Sequence, residues 1–162
     1  MNYTEDYLRT HDIDVFFVLN GIPVHVATAG GLIPRQMRNR EKLRAVQSMV
    51  ASIDFVCDEE EVEYNEKFLQ QRFHQDEKAR LDYLVSFTEM ARKGFVSMDR
   101  TNWQEANDNH YHVVCKPKMN IAREWNDMEM FTFETENKQL LPNVEGMDIN
   151  IFDYLKGNLR EG

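Results

Sequence analysis

The chain has 162 residues, 42% of them hydrophobic, which is enough for one domain with a single hydrophobic core. Its net charge of −9, from 28 acidic and 19 basic residues, argues against general nucleic-acid affinity, because such affinity needs cations that contact phosphates. Two cysteines exclude a disulfide-rich scaffold, and no apolar run reaches the roughly 18 residues of a membrane span. With no apolar leader segment, these features predict one cytoplasmic domain over residues 1–162 that has reduced thiols and contacts no membrane.

The segment 13–28 is typical of a β-hairpin, because two apolar runs flank Asn20-Gly21. Asn-Gly supplies the two positive φ angles of a type I′ turn. A two-residue loop also fixes the register, so we expect Phe17 to oppose Val24. Pro23 has no N–H to donate, which predicts that the second strand lies at a sheet edge near this residue.

The long stretch 35–93 contains neither Gly nor Pro and predicts helices. A helix over 39–53 follows from apolar residues at helical spacing. Acidic residues at 58–61 form a capping-box pattern, which predicts that a second helix begins there. A third helix is expected over 76–93, ending at a glycine; the alternative is that the second and third form one long helix.

Shorter apolar segments complete the predicted fold. Strands are expected near 95–99 and 110–116, a weaker one at 129–134, and a short amphipathic helix near the C-terminus. The fold class is therefore α+β: a small, mainly antiparallel sheet, seeded by the hairpin 13–28 and packed on one face by two or three helices from 39–93.

His110 and His112 are the first candidate site. If their segment is extended, both side chains share one face, which is the spacing of H-x-H ligands for zinc or a similar divalent metal. A third ligand would have to come from elsewhere, such as His25, His74 or a carboxylate. The alternative is a solvated strand face with no cofactor, which we favour because no third ligand is visible in the sequence.

The second candidate is Gly30-Gly31 with the basic segment 35–44 that follows it. A glycine-rich turn before a helix can present backbone N–H groups to an anion, so a phosphorylated ligand is one interpretation. The other is a surface helix whose cations meet the acidic residues 58–63 in the same chain or in a second copy. The basic residues of this segment are Arg35, Arg38, Arg40, Lys42 and Arg44.

Trp103 lies in the polar loop 101–109 and is the third candidate. We expect it to fold back onto the core; the alternative is an anchor for a partner, because Trp is enriched among interface hot spots. Trp125 permits the same two interpretations. Cys57 and Cys115 follow apolar residues, which predicts buried, unreactive thiols.

The sequence favours a non-enzymatic interaction or regulatory protein that binds another protein or itself as a homo-oligomer. It contains one basic and one acidic segment, and two surfaces of opposite charge suit specific association. A sheet edge near Pro23 would also allow a second copy to pair with the sheet. In this case the basic segment, which includes Arg35, Arg38 and Lys42, or Trp103 would lie in the contact. One alternative is a metal-dependent enzyme that uses His110 and His112; a weaker one is recognition of a phosphorylated ligand by Gly30-Gly31 and the following arginines.

Overall fold

A mixed seven-stranded sheet forms the centre of the protein, and helices pack on it. The computed structural model describes residues 1–119, 130–136, 144 and 148–155. The helices are α1 (Glu5–Thr10), α2 (Arg40–Ser52), α3 (Glu66–Phe73) and α4 (Glu77–Arg92). The strands are β1 (Asp14–Leu19), β2 (Ile22–Ala27), β3 (Val62–Tyr64), β4 (Val96–Arg100), β5 (Tyr111–Pro117), β6 (Phe131–Phe133) and β7 (Asp148–Ile149). Together they confirm the α+β class.

The sequence predicted a mainly antiparallel sheet, but the observed sheet is mixed. Its order is β3-β5-β4-β2-β1-β6, and β7 pairs with β5. Two neighbouring pairs, β2–β4 and β1–β6, are parallel. Neither pair is joined by a short connection: α2, α3 and α4 all lie between β2 and β4 in the chain. Parallel neighbours require such long crossovers, so local sequence patterns could not reveal this pairing.

The predicted hairpin forms in the expected register. Phe17 opposes Val24, and Asn20 and Gly21 both have positive φ, 51° and 82°. The expectation of a sheet edge at the second strand is wrong, because β4 covers the other side of β2. Pro23 is tolerated because the β2–β4 pairing begins one residue later, at Val24.

The helix predictions are confirmed at two of three places. α2 and α4 match the predicted segments 39–53 and 76–93, and side-chain oxygens of Asn39 and Asp76 cap their N-termini. The capping box at 58–61 is present, but it closes a single 3₁₀ turn that leads into β3. α3 and α4 are separate, because His74 adopts a positive φ of 50° between them.

Both faces of the sheet are covered. Phe87 of α4 lies beside His25 on one face, with ring centroids 6.0 Å apart. On the opposite face Phe152 packs against Phe17 and Tyr111. Phe152 belongs to a 3₁₀ turn, Ile151–Leu155, in the region of the predicted C-terminal helix, whose residues beyond 155 lie outside the described part of the chain.

The strand predicted at 129–134 is present as β6, with residue 129 outside the described residues. α1, β3 and β7 were not predicted from the sequence. Within the ranges that the structure describes, no helix has the length and apolar character needed to cross a membrane.

Candidate functional site

Two parallel neighbours, β2 and β4, end at the same edge of the sheet, where Ala27 lies opposite Asp99. The segments that follow them are 28–38 and the loop 101–109. In open α/β sheets, ligands bind outside the carboxyl ends of parallel strands. This edge brings together most of the residues that the sequence singled out, namely Gly30, Gly31, Arg35, Arg38 and Trp103.

Close packing explains the two glycines. Gly30 has a φ of +82°, and a Cβ there would lie 2.8 Å from the carbonyl oxygen of Arg9. A Cβ on Gly31 would lie 2.6 Å from the hydroxyl oxygen of Tyr111. The Gly31 N–H donates to the carbonyl of Thr28 at 2.8 Å, so it is not directed at an external anion. The arrangement therefore gives little support to a phosphate cradle at Gly30-Gly31.

The buried Arg100 side chain holds this edge together. Its guanidinium donates to the carbonyl oxygens of Asp108 at 2.8 and 2.9 Å, of Glu105 at 2.8 Å and of Ala29 at 3.1 Å. A charged group can be buried when hydrogen bonds replace its water, and a guanidinium has five N–H donors to make them. Arg100 thus fixes the base of the loop 101–109 against the segment that follows β2.

Further hydrogen bonds fix the loop, but Trp103 remains at its surface. Arg9 donates to the carbonyl of Ala106 at 3.1 Å, and Asn102 donates to the carboxylate of Asp108 at 2.9 Å. Trp103 is 50% exposed, so the expectation that it folds back onto the core is wrong. The alternative, an anchor for a partner, remains a prediction. Trp125 lies outside the described residues.

Arg38 and Lys42 of the basic segment both make contacts within the protein. Arg38 donates from Nε to the carbonyl of Ile33 at 2.9 Å and lies 3.7 Å from the carboxylate of Glu5. Lys42 lies over the ring of Phe131, with Nζ 4.5 Å from the centroid. Lys42 is therefore not part of the edge that Arg38 reaches.

The other cations of this segment differ in exposure. Arg40 lies over the ring of Tyr3 at 5.7 Å, whereas Arg35 and Arg44 are exposed. Among the ion pairs of the described residues, none joins the basic segment to the acidic segment 58–63. Charge pairing between these two segments within one chain is thus not observed.

A cleft of about 440 Å³ lies beside the loop, between the segment after β2 and the C-terminal residues. One wall is apolar and includes Leu32, Ile33 and Phe152. The polar lining is formed by Arg35, Gln36, Arg38, Asn109, Asn150 and Asp153. Its volume lies within the range of about 300–1000 Å³ that is usual for small-molecule sites.

Asn150 is one of the lining residues, and its side-chain oxygen is buried in the protein. No donor in the described part of the chain reaches Oδ1. A buried carbonyl oxygen without a hydrogen bond costs about 1–3 kcal/mol, so such atoms are rare unless a ligand or water satisfies them.

The predicted metal pair does not share an environment. His110 precedes β5, is half exposed, and its Nδ1 lies 3.0 Å from the carboxylate of Asp108. His112 is buried against Phe68, with ring centroids 3.9 Å apart, and its Nδ1 lies 3.0 Å from the hydroxyl of Thr101. His25 and His74 do not complete a site: no cluster of three or more His, Cys, Asp or Glu side chains suited to a metal occurs in the described ranges.

Burial changes the protonation of His112. Loss of solvent lowers its pKa to about 4, and Arg72 acts in the same direction, whereas the carboxylate of Asp148 opposes them. Nε2 is buried with no hydrogen-bond partner among the described residues. The side chain is thus a neutral core residue at physiological pH.

Ser97, His25 and Asp14 form a hydrogen-bonded chain that resembles the arrangement of a hydrolase triad. The Ser97 hydroxyl lies 2.7 Å from His25 Nδ1, and His25 Nε2 lies 2.8 Å from the carboxylate of Asp14. In a triad the serine must reach the substrate. Here Ser97 has no exposed surface, because α4 covers it. The three hydrogen-bonded residues therefore connect a buried hydroxyl to a surface carboxylate.

A second buried pair joins α4 to β4. The hydroxyl of Tyr83 donates to the carboxylate of Asp99 at 2.5 Å. Burial raises the pKa of Asp99, although this hydrogen bond lowers it. Burial, together with the charge of Asp99, raises the pKa of Tyr83.

Both thiols are buried, as predicted, and neither forms a disulfide. Burial raises the pKa of the thiols of Cys57 and Cys115. A raised pKa keeps a thiol protonated at neutral pH and so weakens it as a nucleophile or metal ligand.

Sequence reasoning missed Arg100, Asn109 and Asn150. A basic residue at a strand end carries no sign that it will be buried and bonded to carbonyl groups. The two asparagines are common residues of polar loops. Their place in the cleft follows from the pairing of β2 with β4 and of β5 with β7, which are contacts between distant parts of the chain.

No protein-family model, curated protein or solved structure matches the chain.

The contact between Gly31 and Tyr111 predicts a non-additive pair of substitutions. We expect Gly31→Ala to lower the free energy of unfolding by about 1–3 kcal/mol, because its methyl group meets the Tyr111 hydroxyl. Tyr111→Phe should be neutral or stabilising, since that buried hydroxyl has no described partner. In the double variant part of the loss should disappear, as measured by urea unfolding, and the remainder reflects the Thr28 carbonyl oxygen, which lies 3.0 Å from the same methyl position. Equal losses in both backgrounds would contradict the proposed contact.

The depressed pKa of His112 predicts a pH-dependent stability. Between pH 6.5 and 4 the unfolded chain binds the proton before the folded one does, so this histidine makes the protein less stable as pH falls, by about 3 kcal/mol at pH 4. The raised pKa of Asp99 acts in the opposite direction, since its contribution to stability decreases as pH rises.

His112→Gln should remove the His112 contribution and leave that of Asp99. The expected result is that the free energy of unfolding of the variant, relative to wild type, rises as pH is lowered from 7 to 4. Urea titrations at four pH values measure this difference. Parallel pH profiles for the two proteins would show that His112 is not the responsible group.

Proposed function

We propose that the protein is a non-enzymatic interaction protein of the cytoplasm, with the loop 101–109 as its contact and Trp103 as the anchor. The half-exposed Trp103 on an otherwise fixed loop is the observation that carries this proposal. A large aromatic ring at the surface leaves apolar area in water, and burial of that area in a partner is favourable.

The fixed base of the loop supports this function. Hydrogen bonds from Arg100 and Arg9 to loop carbonyls hold its conformation before any partner binds. Association then costs less conformational entropy than it would for a mobile loop. Exposed aromatic residues on such preorganised segments are typical hot spots of protein interfaces.

The placement of reactive groups supports binding over catalysis. Ser97, His25 and both cysteines, which could in principle serve as nucleophiles or bases, are buried. His112 is buried as well, and its pKa is lowered to about 4. Within residues 102–107, the exposed polar side chains around Trp103 are amides and a carboxylate, which suit recognition.

The partner is proposed to be another protein or a second copy of this chain. Glu105 and Asp108 lie in the same loop as Trp103. A matching surface would therefore offer an apolar pocket rimmed by neutral or basic groups. For a second copy, the exposed Arg35 and Arg44 are available as such groups.

Trp103→Ala tests the proposal. We expect it to weaken self-association, measured by sedimentation velocity, or binding to a purified partner recovered from native extract, by about 2 kcal/mol or more. The melting temperature should remain that of wild type because the ring is half exposed.

Leu81→Ala is the matched control, because Leu81 is an exposed apolar side chain that belongs to α4 and not to the loop. It should leave both measurements unchanged. Equal effects of the two substitutions, or wild-type association by the Trp103 variant, would contradict a role for this loop.

A further inference from the structure

The cleft beside the loop 101–109 offers a surface for an aromatic ring. Its apolar wall includes Ile33 and Phe152. Ring contacts with Phe17 and Tyr111 hold Phe152 in place, so the wall is formed before anything binds to it. The volume of about 440 Å³ is that of a site for a small molecule, which is larger than an indole ring. Burial of such a ring here would be favourable and would need no rearrangement of the wall.

Two guanidinium groups of the lining add an attraction for aromatic rings. Arg38 donates to the carbonyl of Ile33, which orients its guanidinium, and 14% of its side chain is exposed. Arg35 is exposed and forms no ion pair within the described chain, whereas Asp153 of the same lining already has an interaction. Guanidinium groups stack on aromatic faces, and tryptophan is the best ring for this contact. The cleft therefore combines an apolar wall with an unpaired cation at its rim.

The loop 101–109 carries the complementary groups. Trp103 is 50% exposed, and Glu105, two residues later, is exposed as well. Among the described residues the Glu105 carboxylate, like the Arg35 guanidinium, has no ion-pair partner. Asp108, the other acid of the loop, already accepts hydrogen bonds from nearby residues. An unpaired acid on the loop thus matches an unpaired base on the cleft.

Trp103 does not fill the cleft of its own chain. It is not a lining residue, and hydrogen bonds from Arg100 and Arg9 to loop carbonyls fix the loop in that position. Asn109, at the end of the loop, does line the cleft, so both features lie at one edge of the protomer. In a two-fold symmetric interface the same patch of each copy faces the other, which allows two copies to exchange these contacts.

We propose that the partner is a second copy of this chain, and that Trp103 of each copy binds in the cleft of the other. The indole ring packs on Phe152 between the arginines, and Glu105 pairs with the partner's Arg35. This inference rests on the proposed role of Trp103 as an anchor and adds the surface that receives it. The net charge of −9 repels two copies at long range, so burial of the ring supplies the affinity and the ion pair fixes the orientation.

Sedimentation velocity with the full chain tests this exchange. Wild type should dimerise, and Arg35→Glu and Glu105→Arg should each raise the dimer dissociation constant by about tenfold or more, because each brings like charges together twice per dimer. The double variant keeps the wild-type net charge and reverses the pair, so its dissociation constant should return toward the wild-type value. Both side chains are exposed, so none of these variants should change the melting temperature.

A mixture of the Trp103→Ala and Arg35→Glu proteins tests whether the contacts are reciprocal. Each variant alone should dimerise weakly. In the mixed dimer, the intact Trp103 of one copy meets the intact cleft of the other, so this species should form more tightly than either homodimer. Native mass spectrometry separates the three species by mass. A mixed dimer that shows no preference over the homodimers would contradict the exchange.

Arg44→Glu is the matched control, because Arg44 is an exposed arginine of the same basic segment that does not line the cleft. It makes the same change of charge as Arg35→Glu and should dimerise as wild type does. Equal effects of these two substitutions would show that net charge, and not the cleft, governs association.

Failure of this inference can be told from failure of the proposed function. A wild-type chain that stays monomeric at about 0.1 mM, but binds a different protein through Trp103, would overturn the exchange and leave the anchor role intact. A dimer that Trp103→Ala does not weaken would overturn both.

Discussion

The buried guanidinium of Arg100 is the interaction on which the functional end of the molecule depends. It sits at the end of β4 and donates to carbonyl oxygens on both sides, in the segment after β2 and in the loop before β5. A buried charge without such partners would cost several kcal/mol, so these carbonyls are held in one arrangement. The glycine turn, the Trp103 loop and the adjoining cleft are positioned together as a result.

Local patterns in the sequence predicted the elements that interactions between nearby residues determine. The hairpin register follows from Asn20-Gly21 alone, and α2 and α4 follow from apolar spacing and capping residues. The capping box at 58–61 shows the limit of this reasoning. The same hydrogen bonds close one 3₁₀ turn, and pairing with β5 then draws residues 62–64 into a strand.

The candidate site was predicted in part for the same reason. Gly30, Arg35 and Trp103 carry visible signals, namely a glycine turn, a charge cluster and an aromatic residue among polar ones. Asn150 and Arg100 reach their positions only when distant strands pair, and no local residue pattern predicts those positions. His110 and His112 failed to share a face because the strand begins after His110, and a shift of one residue at a strand end changes which side chains align.

The placement of the hairpin within the sheet also has a consequence for folding. β1 and β2 are adjacent in the chain, but the outer neighbour of each, β6 and β4, arrives from far along the sequence. The hairpin forms by closing a two-residue loop, whereas joining β4 or β6 to it must close a long loop against chain entropy. Both outer hydrogen-bonding edges of the hairpin therefore stay open until β4 and β6, which lie far along the chain, pair with them. Throughout that interval, the most apolar strands of the protein are the ones exposed to other chains.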